Sequence, residues 1–182
     1  MPLQPIMHDF TIEFSDADRG KSGVLQSTIG RHHSETEGQL VARLLAYLLY
    51  YESDLEFVTR SGTGDEPELW SKGVDDKVVH WVDVGLPDRD RLITASRHAQ
   101  RVGLVAWGKT LHNWELQHIL NLRGVPNLSV ISVSQDFINS LVTRLEPLIR
   151  WSASIYSGRL CVSVGDETFK TVIKERLGIR YA

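Results

Sequence analysis

The segment "DFTIEF" places Phe10, Ile12 and Phe14 on one side and Thr11 and Glu13 on the other. A period of two predicts a half-buried strand. The polar run "SDADRGKSG" follows as a turn, and "VLQSTIG" predicts a second strand antiparallel to the first. The period then changes. In "SETEGQLVARLLAYLLYY", Leu40, Leu44 and Leu48 recur at helical spacing together with Val41 and Leu45. Ser34 is the expected N-cap, with Glu37 closing a capping box three residues later. Arg43 interrupts the apolar surface of this helix.

Further on, "LEFVTR" predicts a strand over 55–60, "SGTGDEP" a loop, and "ELWSKG" a short strand or one helical turn. "KVVHWVDV" is apolar on both faces, which predicts a strand central in its sheet. "GLPDRD" breaks that strand, and Asp88 is placed to cap a helix through "RDRLITASRHAQR". The strand "VGLVAW", the helix "TLHNWELQHILNL", the strand "LSVISV" and the helix "SQDFINSLVTRLEPL", capped by Ser134, continue the alternation. "RWSASIYSGRLCVSVGDE" predicts a hairpin turning at Ser157-Gly158, whereas the basic tail "TFKTVIKERLGIRYA" carries no clear period. The class is mixed α/β, without an obvious linker.

A chain of 182 residues with 42% hydrophobic and 24% charged residues is expected to fold as a single domain. No apolar run approaches the ~20 residues that cross a bilayer, and "MPLQPIMHDF" lacks the basic and apolar regions of a signal peptide. The single cysteine, Cys161, has no partner in the chain, which fits a reducing compartment. A net charge of −3 argues against a protein that coats nucleic acid, because that affinity comes from excess Lys and Arg. It leaves a nuclease open, since a metal site itself requires carboxylates.

The acids are unevenly spread. Asp65, Glu66 and Glu68 precede "ELW", Asp75 and Asp76 flank a probable turn, and Asp83 ends the apolar strand "VVHWVDV". Asp75 and Asp76 fit solvated turn positions. An ionised Asp83 has to emerge at the sheet edge, find a partner or face a metal, because burying a lone charge is expensive. Two antiparallel strands joined through "GVDD" would bring Asp83 and the upstream acids toward one cation. Mg²⁺ takes carboxylate oxygens, one or two from the protein, with water and phosphate completing the shell. Glu35 is surplus to the capping box and joins the candidate acids. Arg91 follows the Asp83 strand closely enough to screen these carboxylates or contact a phosphate; Arg97 lies on the same helix. Arg31 and His32 stand before the first helix, whose N-terminus could hold an anion or simply be well capped. Adjacent histidines, His32 and His33, do not face each other, so the pair is a poor zinc site. The five tryptophans, Trp70, Trp81, Trp107, Trp114 and Trp151, fit core or half-buried positions. The glycine-rich phosphate loops of ATPases and dinucleotide enzymes are missing, as is the serine-hydrolase elbow.

Taken in order, "RHHSETEGQLVARLLAYL", "DEPELW", "WVDVGLPD-R" and "NLSV" resemble the bacterial YaeQ family over nearly the whole chain. That resemblance implies a fold similar to PD-(D/E)XK nucleases: a central mixed sheet flanked by helices, with an αβββαβ core over about 34–107 and extra β-hairpins at both termini. It implies that Glu35 matches the acid of the first core helix, that one of Asp65, Glu66 and Glu68 matches the "PD" acid, and that Asp83 matches the (D/E). The pattern departs at Asp83-Val84-Gly85, where glycine occupies the lysine position. Two expectations follow. One is a Mg²⁺- or Mn²⁺-dependent phosphodiesterase acting on nucleic acid. It uses Glu35, Glu66, Asp83 and Arg91 for chemistry, Asp65, Glu66, Glu68 and Asp83 for the ion, and Arg31, His32 and Arg97 for substrate. The other is a non-catalytic regulatory protein on the same fold, with its acids tied to Arg31, Arg43 or Arg91. In either case the expected state is a cytoplasmic monomer, away from membranes, with nucleic acid or an unidentified protein as partner.

Overall fold

A computed structural model describes residues 3–59 and 64–180. In chain order the elements begin β1 (Ile6–Asp16), β2 (Lys21–Arg31), α1 (Glu37–Leu49), β3 (Glu56–Phe57), β4 (Leu69–Lys72), β5 (Val78–Val84), α2 (Arg89–His98) and β6 (Arg101–Ala106). They continue with α3 (Leu111–Leu122), β7 (Leu128–Ser132), α4 (Gln135–Val142), β8 (Leu148–Tyr156), β9 (Arg159–Val164), β10 (Glu167–Val172) and β11 (Lys174–Leu177). The chain divides into two compact units, one drawn from residues 1–41 and 133–173, the other from residues 42–132 and 174–181. Among the described residues no helix is long and apolar enough to cross a membrane.

The first unit carries a five-stranded sheet in the order β10-β9-β8-β1-β2. Both predicted hairpins are present, β1–β2 at one end of the chain and β8–β9 at the other. The sequence left their placement open, and they do not join the six-stranded sheet. Instead β1 pairs in parallel with β8, so the two hairpins make a sheet of their own. Phe10, Ile12 and Phe14 alternate as predicted, and Ile149, Trp151 and Ala153 do the same in β8; the residues between them are not buried. At the β8–β9 turn Ser157 and Gly158 have φ of 49° and 71°, the signs that a two-residue hairpin twisted like its strands requires. The Asp18 carboxylate fixes this turn, accepting from the N–H groups of Ser157 (2.7 Å) and Gly158 (2.8 Å). Ser134 caps α4 as expected by accepting from the Phe137 N–H, but the helix stops at Val142, short of "LEPL". Glu146 precedes Pro147 and is disfavoured in helical geometry. The basic tail, which had no readable period, supplies β10 and β11.

Helix α1 begins two residues later than its predicted capping box allows. Thr36 is the cap, its Oγ1 accepting from the Gln39 N–H at 3.1 Å. Ser34 is engaged elsewhere, its Oγ 2.7 Å from His32 Nδ1. Glu37 therefore opens the helix rather than closing the box.

The second unit holds a six-stranded sheet in the order β11-β7-β6-β5-β4-β3. β5, β6 and β7 run parallel; β4 is antiparallel to both β3 and β5. The predicted strand over 55–60 shrinks to Glu56–Phe57, and Arg60 lies outside the described residues. "ELWSKG" resolves as the strand β4. Asp75 and Asp76 are exposed in the β4–β5 turn, which the Gly73 N–H closes onto the Lys77 carbonyl at 2.8 Å. The crossovers β5-α2-β6 and β6-α3-β7 are sequential, and right-handed crossovers of that kind set both helices on one face. There Leu92, Ala95, Trp114 and Leu122 pack with Val102, Leu104, Leu128 and Val130. Asp88 occupies the N-cap position of α2, yet its side chain makes no cap hydrogen bond, contrary to its predicted role. All five tryptophans are buried or half-buried, as expected.

On the opposite face Tyr50 is fully buried, and its hydroxyl lies 2.8 Å from Ser129 Oγ. Its ring rests on Gly103, where an added Cβ would come within 2.8 Å of Tyr50 Cζ. The ring has no room to retreat in a close-packed interior. Gly103→Ala is therefore expected to destabilise the protein by about 1–3 kcal/mol, measured by urea denaturation. A variant as stable as the parent would contradict this packing.

Candidate functional site

β5 runs through the middle of the six-stranded sheet and delivers Asp83 near its C-terminal end, where the side chain is buried. The carboxylate meets Arg91, two residues into α2. Arg91 Nε donates to Asp83 Oδ2 at 3.0 Å and a terminal nitrogen to Oδ1 at 3.3 Å. The same guanidinium donates to the backbone carbonyls of Gly64 and Glu66, each at 2.7 Å. One side chain thus ties the loop before β4 to the end of β5. A groove of about 520 Å³ opens beside it, with Trp81, Arg91, Asp65 and Asp90 among its walls.

Glu68 precedes β4, and its N–H donates to the Val82 carbonyl at 3.1 Å, which brings it alongside Asp83. Its own carboxylate is paired with Arg43 of α1, Nε to Oε2 at 3.3 Å, both side chains largely buried. Arg43 also lies over the Phe57 ring. The break that Arg43 makes in the apolar face of α1 was visible in the sequence, but its partner was not. A second internal cluster had no sequence signal at all: Arg101 forks onto Glu52, with His80 4.0 Å from the same carboxylate.

The other candidates divide between the units. Asp65 and Glu66 sit in the loop that Arg91 holds, Asp65 exposed and Glu66 half-buried, with the Glu66 contact made through its carbonyl. Arg97 is exposed in the last turn of α2. Glu35, Arg31 and His32 belong to the first unit. Glu35 lies in the turn before α1, not on the helix as expected: its carboxylate accepts from the His32 N–H at 3.3 Å, and its carbonyl accepts from Arg31 at 2.9 Å.

Burial raises the Asp83 carboxyl above the ordinary value of 3.8; the Arg91 hydrogen bonds and charge pull it down, and the neighbouring Glu68 adds to the rise. Gly85, where the nuclease resemblance leads one to expect lysine, has φ of 111°, a conformation that a lysine would adopt only under strain. The chain leaves the sheet there, so the nearest cation to Asp83 comes from α2. In donor chemistry the Asp83 and Glu68 carboxylates fit a hard divalent ion. In the present arrangement both are bonded to guanidinium groups, and among the described residues no three His, Cys, Asp or Glu side chains gather as a metal-binding group.

The sequence profile of the YaeQ protein family matches residues 1–173. The chain belongs to the YaeQ family. It is 28% identical to the "Uncharacterized protein YaeQ" of Salmonella typhi over 164 residues, covering 90% of this chain and 91% of that protein. It is 27% identical over the same length to the protein so named in Escherichia coli K12. The crystal structure of YaeQ from Pseudomonas syringae superposes with a TM-score of 0.89 at 34% identity, covering 97% of this chain and 98% of that one. That of YaeQ from Xanthomonas axonopodis pv. citri superposes at 0.92 with 24% identity, covering 96% and 99%, and speaks for the fold alone.

In this member of the YaeQ family the raised Asp83 carboxyl gives a definite sign to stability. The folded state holds the proton more tightly than the unfolded chain, so Asp83's contribution is fully present below the unfolded value. It is lost as pH rises from about 3.8 through the higher folded value. Asp83→Asn removes this titration. The melting-temperature difference, parent minus variant, is expected to fall across that window; a constant or rising difference would contradict the raised value.

Proposed function

We propose that this protein is a nuclease-like phosphodiesterase acting on nucleic acid, with Mg²⁺ or Mn²⁺ as its cofactor. The observation that carries the reading is the meeting of two carboxylates, Glu68 entering β4 and Asp83 leaving β5, at one end of the sheet. The surrounding order supports it. From α1 to β6 the elements run αβββαβ, and β3-β4-β5-β6 lie side by side with only β4 reversed. That order supports reading this region as a PD-(D/E)XK-like core. Asp83 and Glu68 would hold the ion, with Asp65 and Glu66 on the adjoining loop; a bound ion activates water and neutralises a phosphoryl oxygen. Arg91 would take the charge role of the missing lysine, as a bidentate phosphate donor rather than a proton acceptor. Within the same unit Arg97 remains a proposed substrate contact.

One observation favours a second reading, a non-catalytic interaction protein: both carboxylates are neutralised from within, by Arg91 and Arg43. Fold alone does not choose between the two. Cleavage of fluorescent single- and double-stranded DNA and RNA oligonucleotides in Mg²⁺ or Mn²⁺ does. The phosphodiesterase reading expects metal-dependent turnover that falls by at least about a hundredfold in Asp83→Asn, on the scale of losing a group that acts on the reacting charge. Turnover unchanged in that variant, or none in the parent with any of these substrates, would favour the non-catalytic reading.

A further inference from the structure

Four oxygens converge on one guanidinium. Asp83 presents Oδ2 at 3.0 Å and Oδ1 at 3.3 Å, and the carbonyls of Gly64 and Glu66 each stand 2.7 Å from a terminal nitrogen of Arg91. A carboxylate and two backbone carbonyls, with no nitrogen or sulfur ligand, are the donor types that hard cations take. We infer that Arg91 is this site's built-in cation, occupying the oxygen-lined place that a divalent ion would take, and that such an ion binds only when the Arg91 side chain withdraws. This rests on the reading of Asp83 as a cation-facing acid and names how that site is controlled.

The physical case is exclusion. A divalent ion on the Asp83 oxygens would stand within a few ångströms of the guanidinium, and like charges at that distance in a partly desolvated site repel strongly. The Arg91 fork already satisfies both carboxylate oxygens, so an ion has to displace hydrogen bonds as well as charge. Withdrawal has a route. The Arg91 side chain is one-third exposed, against 4% for Asp83, and it lines the 520 Å³ groove. A phosphate entering that groove offers the guanidinium a bidentate partner to replace the carboxylate. The same anion that serves as substrate would then open the ion's place.

The test is calorimetric titration of Mn²⁺ into the parent, Arg91→Gln and the double variant Arg91→Gln/Asp83→Asn, with folding checked by circular dichroism. The inference expects Arg91→Gln to bind one Mn²⁺ at least about tenfold more tightly than the parent, a difference of ~1.4 kcal/mol, and the double variant to lose that gain. A folded Arg91→Gln with parental affinity would overturn it, as would a gain that survives loss of the Asp83 carboxylate. If Arg91→Gln does not fold, Arg91→Lys serves: the charge stays but the fork is gone, so a several-fold gain is expected and parental affinity would again be decisive against. The outcome separates from that of the phosphodiesterase reading. A gain in Mn²⁺ affinity without nucleolytic activity upholds the arginine's role while removing the enzyme; cleavage by the parent with no gain in Arg91→Gln does the reverse.

Discussion

A carboxyl group almost out of contact with water has to be held by something, and at Asp83 that something is Arg91. Both partners arrive on rigid elements, one near the end of a central strand and the other in the first turn of the helix that follows it. The remaining donors of the guanidinium reach back across the sheet end to the carbonyls of Gly64 and Glu66. One pair thereby joins three consecutive parts of the chain: the loop before β4, the end of β5 and the start of α2. A buried ion pair of this kind adds little net stability over apolar packing, but breaking it leaves a charge stranded. Its worth lies in fixing which way that loop and that helix face.

The neighbouring pair works by the same logic from the other side of the chain. Arg43, set in the apolar run of α1, meets Glu68 where β4 begins. The two acids that approach one another are thus each countered by a cation from a different helix. An arrangement that could gather carboxylates around a metal instead gathers arginines around carboxylates.

Much of this architecture was legible in the chain. Alternation in "DFTIEF", the turn at Ser157-Gly158 and the apolar run ending on Asp83 each specified a strand or hairpin because local geometry alone decides them. What stayed hidden was non-local. Nothing in β1 or β8 announces that they pair in parallel across more than a hundred residues, and so the two-sheet arrangement did not follow from the hairpins. The tail "TFKTVIKERLGIRYA" had no clear period to reveal β10 and β11, both of which take their place from partners already in a sheet. Ser34 was the readable cap, but it is engaged with His32 and Thr36 caps the helix instead. At the candidate site the sequence marked Asp83 as an acid needing a partner and Arg91 as near it. It could not give the fork geometry, and it could not say that Glu66 would contribute its carbonyl rather than its carboxylate.

Asp83 and Arg91 act as one coupled unit rather than as an incidental surface contact. A double-mutant cycle measures this directly: urea denaturation of the parent, Asp83→Asn, Arg91→Gln and the double variant. Charged hydrogen bonds in a partly buried setting predict a coupling free energy of roughly 1.5–3 kcal/mol. A value below about 0.5 kcal/mol, the range of an exposed ion pair, would contradict the account.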